Sequence, residues 1–215
     1  MDTFFGDLFR ATNGRPYEFA HVGACIARPR MFLGKGFWID TGGKYGYTII
    51  DKMGVKAMFL KWEALNGRSG HEVGRELLAK LYEQATGQSL PPIAVTPQGK
   101  PYFPDGNWHF SISHTKNFAF CALSRKNIGL DAEEKGRKVS PAMLEKFTSH
   151  EEKERLGTDP EDAFLRLWVL KEAQSKLTGR GMGNWLKNTD FDPSDPRIQE
   201  INGCYVAVLE EENAV

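Results

Sequence analysis

The chain has 215 residues, room for one large domain or two small lobes at roughly 150 residues per domain. Hydrophobic residues make up 40% and charged residues 26%, which excludes a wholly disordered chain, and 22 Gly and 11 Pro exclude a collagen-like or Pro-rich one. Lys+Arg and Asp+Glu number 28 each, so the basic surplus of a nucleic-acid binder is absent. The three cysteines, Cys25, Cys121 and Cys204, are far apart and form no C-x-x-C pair. That argues against a disulfide scaffold or a thiolate zinc site. Asp2 and Asp7 open the chain with no basic flank before an apolar run, unlike a signal peptide. No stretch approaches the roughly 18 apolar residues of a membrane span. The expectation is a soluble, cytoplasmic protein with no nucleic-acid or membrane partner.

In chain order, residues 34–46 are dense in glycine with aromatics between, and predict short strands and turns, with residues 47–50 and 57–62 extended. Val73, Leu77, Leu78 and Leu81 recur at helical spacing and predict a helix over 73–86, stopped by Gly87. Residues 90–106, with five prolines and two glycines, are the candidate linker between lobes. Residues 118–123 form an apolar run of strand length, Arg125-Lys126-Asn127 a turn, and residues 128–133 a strand, so a β-hairpin is predicted. Ser140 caps and Pro141 opens a short helix over 142–147. A long helix over 161–177 ends at Gly179, and a final strand spans 201–209.

Four constellations carry chemistry. Asp131 and Glu133, at i and i+2 of a strand, project from one face about 7 Å apart, so they either form a solvated edge or flank a hard divalent cation such as Mg²⁺. In the long helix, Phe164, Leu165, Leu167, Trp168, Leu170 and Leu177 point almost all the way round, which predicts burial. Yet Lys171, Glu172 and Lys176 sit within it. Glu172 and Lys176 are either an i, i+4 salt bridge or a buried functional pair. Phe110-Ser111-Ile112-Ser113-His114 reads as a short strand ending in a hydroxyl and an imidazole, both able to hydrogen-bond phosphate oxygens. Gly99-Lys100-Pro101 is a turn presenting a cation. The S-x-x-K match at Ser113–Lys116 lacks the S-D-N and K-T-G partners that a β-lactamase requires. There is no P-loop and no strand–G-x-G-x-x-G–helix unit. Gly179, Gly181 and Gly183 read as a helix stop and loop.

The order of these motifs is specific. Gly99-Lys100-Pro101, Phe110–His114, Ile128-Gly129-Leu130-Asp131-Ala132-Glu133, Trp168-Val169-Leu170-Lys171-Glu172-Ala173, Lys176 and Gly179-Arg180-Gly181 together resemble the 4′-phosphopantetheinyl transferase superfamily, in its two-lobe, single-chain surfactin-synthetase type. The resemblance spans roughly residues 68–183. It implies an α+β fold of two similar lobes with pseudo-two-fold symmetry. Residues 1–105 would form the N-terminal, coenzyme A 3′-phosphate lobe and residues 106–215 the magnesium-binding, catalytic lobe, in a monomer. It also implies transfer of phosphopantetheine from coenzyme A to a serine of an apo acyl or peptidyl carrier protein, with Mg²⁺. By the same resemblance Asp131, Glu133 and Glu172 are the magnesium ligands and Glu172 is also the base. Lys176 stabilises the pyrophosphate, His114 contacts phosphate, and Lys100, Ser113 and Arg68 bind the 3′-phosphate. Arg28, Arg30, Lys35 and Lys44 are candidates for further phosphate contacts or solvated surface charge, and Lys135, Arg137 and Lys138 for carrier docking or a solvated loop. Two other classes stand beside the transferase: a non-catalytic module binding coenzyme A or carrier protein, and a metal-dependent pyrophosphate hydrolase.

Overall fold

The computed structural model describes residues 30–32, 38–40, 46–50 and 56–211; Cys25, Arg28, Lys35 and Lys44 lie outside them. Among the described residues four strands come first: β1 (Arg30–Phe32), β2 (Trp38–Asp40), β3 (Gly46–Ile50) and β4 (Lys56–Ala64). Helix α1 (Gly70–Thr86) follows, with the Ser69 hydroxyl accepting from the Glu72 N–H and Gly87 closing the helix at φ 74°. Only glycine enters that left-handed region without strain. Then come β5 (Ala94–Val95), β6 (Pro101–Tyr102), β7 (His109–His114), β8 (Phe118–Ser124) and β9 (Ile128–Glu134). Helices α2 (Pro141–Phe147), α3 (His150–Glu154) and α4 (Pro160–Thr178), a 3₁₀ turn (Asn184–Asn188), and strands β10 (Ile198–Ile201) and β11 (Cys204–Glu210) complete the order.

The elements stack in four layers. A six-stranded antiparallel sheet runs β1-β2-β3-β4-β8-β7, and a three-stranded sheet runs β10-β11-β9. On one face of the large sheet, Val73, Leu77, Leu78 and Leu81 of α1 pack against Phe59, Phe110, Cys121 and Leu123. On its other face, Leu60, Phe120 and Ala122 meet Ile128, Leu130 and Ala132 of β9 and Val206 of β11. The outer face of the small sheet, with Tyr205, Ala207 and Leu209, is covered by Phe164, Leu165, Trp168, Val169 and Ala173 of α4. The faces of β4, β8, β9 and β11 and the apolar stripes of α1 and α4 thus find apolar partners. Residues 90–106 fold back onto the first core: Phe103 is buried there, its ring 5.2 Å from Tyr82 and 4.7 Å from Phe110.

Two sequence expectations are corrected. The hairpin of residues 118–123 with 128–133 does not form. Strand β8 is paired on both edges, with β4 and β7, so β9 crosses to the second sheet and pairs with β11. The single strand over 201–209 is instead the second arm of a hairpin, β10–β11. Asn202 (φ 50°) and Gly203 (φ 75°) turn between the arms, the left-handed pair that a two-residue type I′ turn requires.

Candidate active site

Strand β9 divides its residues as alternation predicts. Ile128, Leu130 and Ala132 enter the inter-sheet core, and Gly129, Asp131 and Glu133 turn to α4. Helix α4 comes so close that a Cβ on Gly129 would lie 2.0 Å from the Ala173 carbonyl oxygen and 2.5 Å from the Leu177 nitrogen. This approach brings Glu172 over the two strand carboxylates. Ligand oxygens of Asp131, Glu133 and Glu172 all lie within 4.8 Å of one another. Asp131 is only 3% exposed, so the solvated-edge reading of this face does not hold.

Each strand carboxylate is held by named donors. Asp131 Oδ1 accepts from Lys176 Nζ at 2.7 Å and from Ser113 Oγ at 2.8 Å. Its other oxygen, Oδ2, is buried and has no hydrogen-bond partner among the described residues. Glu133 Oε1 accepts from the Trp168 indole N–H at 3.1 Å, and Arg137 Nε stands 3.0 Å from Oε2. Lys176 therefore reaches across to Asp131 and is not the helical i, i+4 partner of Glu172. Burial, then the charge of Asp131, raises the Glu172 carboxyl to about 7, against the pull of Lys176. The same two causes raise Glu133, opposed by Arg137, Trp168 and Lys176. Three carboxylates in one partly dry site repel each other. A buried, unpartnered carboxylate oxygen within an all-oxygen donor set fits a hard divalent cation.

The remaining predicted residues divide into two groups. Lys100 and Lys176 line one cleft of about 270 Å³, with Pro101, Ile112, Gly179 and Gly181. The Lys100 ammonium is turned inward, donating to Asn127 Oδ1 at 2.6 Å and to the Leu177 carbonyl at 2.7 Å, where it satisfies a terminal carbonyl of α4. Arg68 and His114 lie instead near the N-terminal end of α1. His114 is exposed, and its ring packs so closely on Gly70 that a Cβ there would lie 2.5 Å from it. Arg68 is ion-paired with Glu63 at 2.5 Å and Glu76 at 2.8 Å. In the basic loop, Lys135 pairs with Glu200 at 2.8 Å and Arg137 with Glu133, so two of its three cations already face carboxylates.

Sequence reasoning did not assign Trp168 to Glu133, and it named Arg137 only for carrier docking or a solvated loop. No local signal marks the Trp168 contact, because it joins residues 35 apart that become neighbours only when α4 packs; Arg137 is four residues from Glu133, and that spacing is a local signal. The raised Glu172 carboxyl has a stability consequence. Its folded value, about 7, exceeds its ordinary 4.5. Stability from this group is therefore fully present below about 4.5 and lost as pH rises through 7. Without divalent cation, Glu172→Gln should melt higher than wild type at pH 8 by a few degrees, with the gap closing by pH 5. A gap that does not change with pH would show that Glu172 titrates at its ordinary value.

Residues 127–210 match the model of the 4′-phosphopantetheinyl transferase superfamily. The chain is 36% identical over 89 residues to the 4′-phosphopantetheinyl transferase Sfp of Bacillus subtilis, covering 39% of each protein. It is 34% identical over 122 residues to the 4′-phosphopantetheinyl transferase psf-1 of Bacillus pumilus, covering 55% of this chain and 48% of that one. To the L-aminoadipate-semialdehyde dehydrogenase-phosphopantetheinyl transferase of Pongo abelii it is 33% identical over 138 residues, 59% of this chain and 42% of that one. The matches thus span under half the length of these relatives.

Proposed function

The chain belongs to the 4′-phosphopantetheinyl transferase superfamily through residues 127–210, and from that premise we propose that it transfers the phosphopantetheine arm of coenzyme A to a serine of an apo acyl or peptidyl carrier protein. The observation that carries this reading is the convergence of Asp131, Glu133 and Glu172 within 4.8 Å, beside a cleft that Lys176 also lines. These three residues would hold Mg²⁺, which supplies charge neutralisation to a pyrophosphate and its departing phosphate.

The chain's own residues supply the rest. Glu172, held over the two strand carboxylates, takes the proton of the carrier serine. The serine oxygen then forms a bond to the β-phosphorus of coenzyme A. The pyrophosphate bond breaks, and adenosine 3′,5′-bisphosphate leaves. Lys176 offers its charge to the pyrophosphate from the cleft wall. Lys100, on the wall of the same cleft, serves the adenosine 3′-phosphate, and His114 contacts phosphate; Arg68, away from that cleft, would have to exchange a carboxylate partner for phosphate to join them. The two-lobe reading, residues 1–105 and 106–215, is amended by the sheet: β7 and β8 lie beyond residue 105 yet belong to the six-stranded sheet and its core, so the proposed division falls after β8. What supports two similar halves is a long helix in each, closed by a left-handed glycine, Gly87 after α1 and Gly179 after α4.

The test incubates the protein with coenzyme A, Mg²⁺ and an apo carrier protein and weighs the carrier by mass spectrometry. A gain of one phosphopantetheine is expected, and Glu172→Gln should reduce its rate by at least about a hundredfold. An unmodified carrier with coenzyme A cleaved would establish the hydrolase instead, and an unmodified carrier with coenzyme A intact the binding module.

A further inference from the structure

Strand β7 alternates in the same way as β9. Ile112 and His114 lie against Gly74 and Gly70 of α1. Ser111 and Ser113 occupy the opposite face, both 6% exposed, and turn to β9. Strand β9 is an edge of its sheet, and the Leu130 N–H on that edge is satisfied by Ser111 Oγ at 2.9 Å. Hydroxyls, not a backbone ladder, thus join β7 to β9. One β9 residue further on, Ser113 Oγ donates to Asp131 Oδ1 at 2.8 Å.

A serine hydroxyl carries one proton. While that proton is engaged with Asp131 it cannot be donated to a phosphate oxygen, and the side chain has little surface left to offer a ligand. Lys176 Nζ reaches the same Oδ1 at 2.7 Å. Two donors on one carboxylate oxygen fix the rotation of the group, and the other oxygen, Oδ2, is the buried one with no partner.

We infer that Ser113 is a positioning residue of the cation site, its hydroxyl holding Asp131 Oδ1 so that Oδ2 is presented to the ion. This rests on the reading of Asp131, Glu133 and Glu172 as a magnesium site, and it moves Ser113 from the coenzyme A 3′-phosphate to the metal. Groups that orient ligating side chains commonly contribute 10- to 100-fold in metal affinity.

The experiment titrates Mn²⁺ into the whole chain, without coenzyme A, and follows free Mn²⁺ by electron paramagnetic resonance. Ser113→Ala should weaken Mn²⁺ binding about tenfold or more and raise the Mg²⁺ needed for half-maximal transfer by the same factor. The coenzyme A KM at saturating Mg²⁺ should stay within about twofold. Ser113→Thr, which keeps the hydroxyl, should recover most of the Mn²⁺ affinity. Ser111→Ala, which cuts the β7–β9 link without touching Asp131, should lower the melting temperature and leave Mn²⁺ affinity unchanged. Equal Mn²⁺ affinity in wild type and Ser113→Ala overturns the inference, and a raised coenzyme A KM would then return Ser113 to the phosphate. A wild-type chain that binds no Mn²⁺ overturns the metal reading itself, so the two failures are distinct.

Discussion

Gly129→Ala is expected to lower the melting temperature by roughly 6–12 °C and to weaken divalent-cation binding in the protein that remains folded. The added methyl would lie 2.0 Å from the Ala173 carbonyl oxygen and 2.5 Å from the Leu177 nitrogen. Both are backbone atoms of α4, so no change of rotamer relieves the overlap. Strand and helix must move apart by more than an ångström. Overpacking of this kind costs about 3 kcal/mol or more, and in a chain of this size each kcal/mol shifts the midpoint by about 2–4 °C. The displacement also separates Glu172 from Asp131 and Glu133. Gly74→Ala is the control. There the new methyl meets a side-chain methyl of Ile112 at 2.6 Å, which can yield, and the helix gains about 1 kcal/mol from losing a glycine. Thermal melts of the two variants should differ by several degrees, and equal melting would remove the close approach as a determinant of the fold.

Lys171→Met is the second large effect. Lys171 is fully buried inside α4, and its ammonium has three acceptors: Glu152 Oε1 at 2.9 Å, the Leu186 carbonyl at 2.7 Å and the Thr189 carbonyl at 2.7 Å. Glu152 is equally enclosed. Its Oε1 also accepts from the Phe191 N–H at 3.0 Å, and its Oε2 from the Ser149 N–H at 2.9 Å. Burial lowers the lysine's proton affinity and Glu152 partly restores it. Removing the lysine leaves a buried carboxylate without a counter-charge, a loss of about 3–5 kcal/mol, or roughly 6–20 °C in melting temperature. Lys171→Met combined with Glu152→Gln should recover a good part of this, since no lone charge remains. The pair fastens α3 and the 3₁₀ turn to α4 at the residue before Glu172. Melting of the single and double variants settles it, and a Lys171→Met chain as stable as wild type would mean that Glu152 finds water.

The helices were legible because their signals are local. The spacing of Val73, Leu77, Leu78 and Leu81, with Gly87 behind them, needs no partner to be read, and α1 forms where it predicts. Helix α4 was legible for the same reason, and its all-round apolar surface is explained by the small sheet on one side and by Met143, Leu144, Phe147 and Leu156 packed in the same cluster. Two further local signals were passed over. Ser149 and Glu152 make a capping box at the start of α3, and Asn202-Gly203 is a hairpin turn lying inside the run read as one strand.

Strand partnership was not legible, because a strand carries no record of which edge it will find. Residues 118–123 and 128–133 are adjacent along the chain, yet β4, more than fifty residues earlier in sequence, takes the edge that a simple hairpin would have used. Charge partnership follows the same rule. Lys176 could equally be the helical partner of Glu172 or the cross-element partner of Asp131, and Lys100 could point outward or cap α4. Spacing alone does not distinguish these, because each choice depends on which surface is brought within 3 Å.

Residue types and periodicity were therefore enough to place three carboxylates, a lysine and a histidine on their elements, and the order of the motifs was enough to carry the resemblance to the superfamily, since motif order is a property of the chain. The tertiary structure alone decided which oxygen of Asp131 is left without a donor, that Trp168 and Ser113 serve the acidic cluster, and that Lys171 needs Glu152. Those contacts depend on distance and burial between segments far apart in sequence, and both arise only when the layers pack.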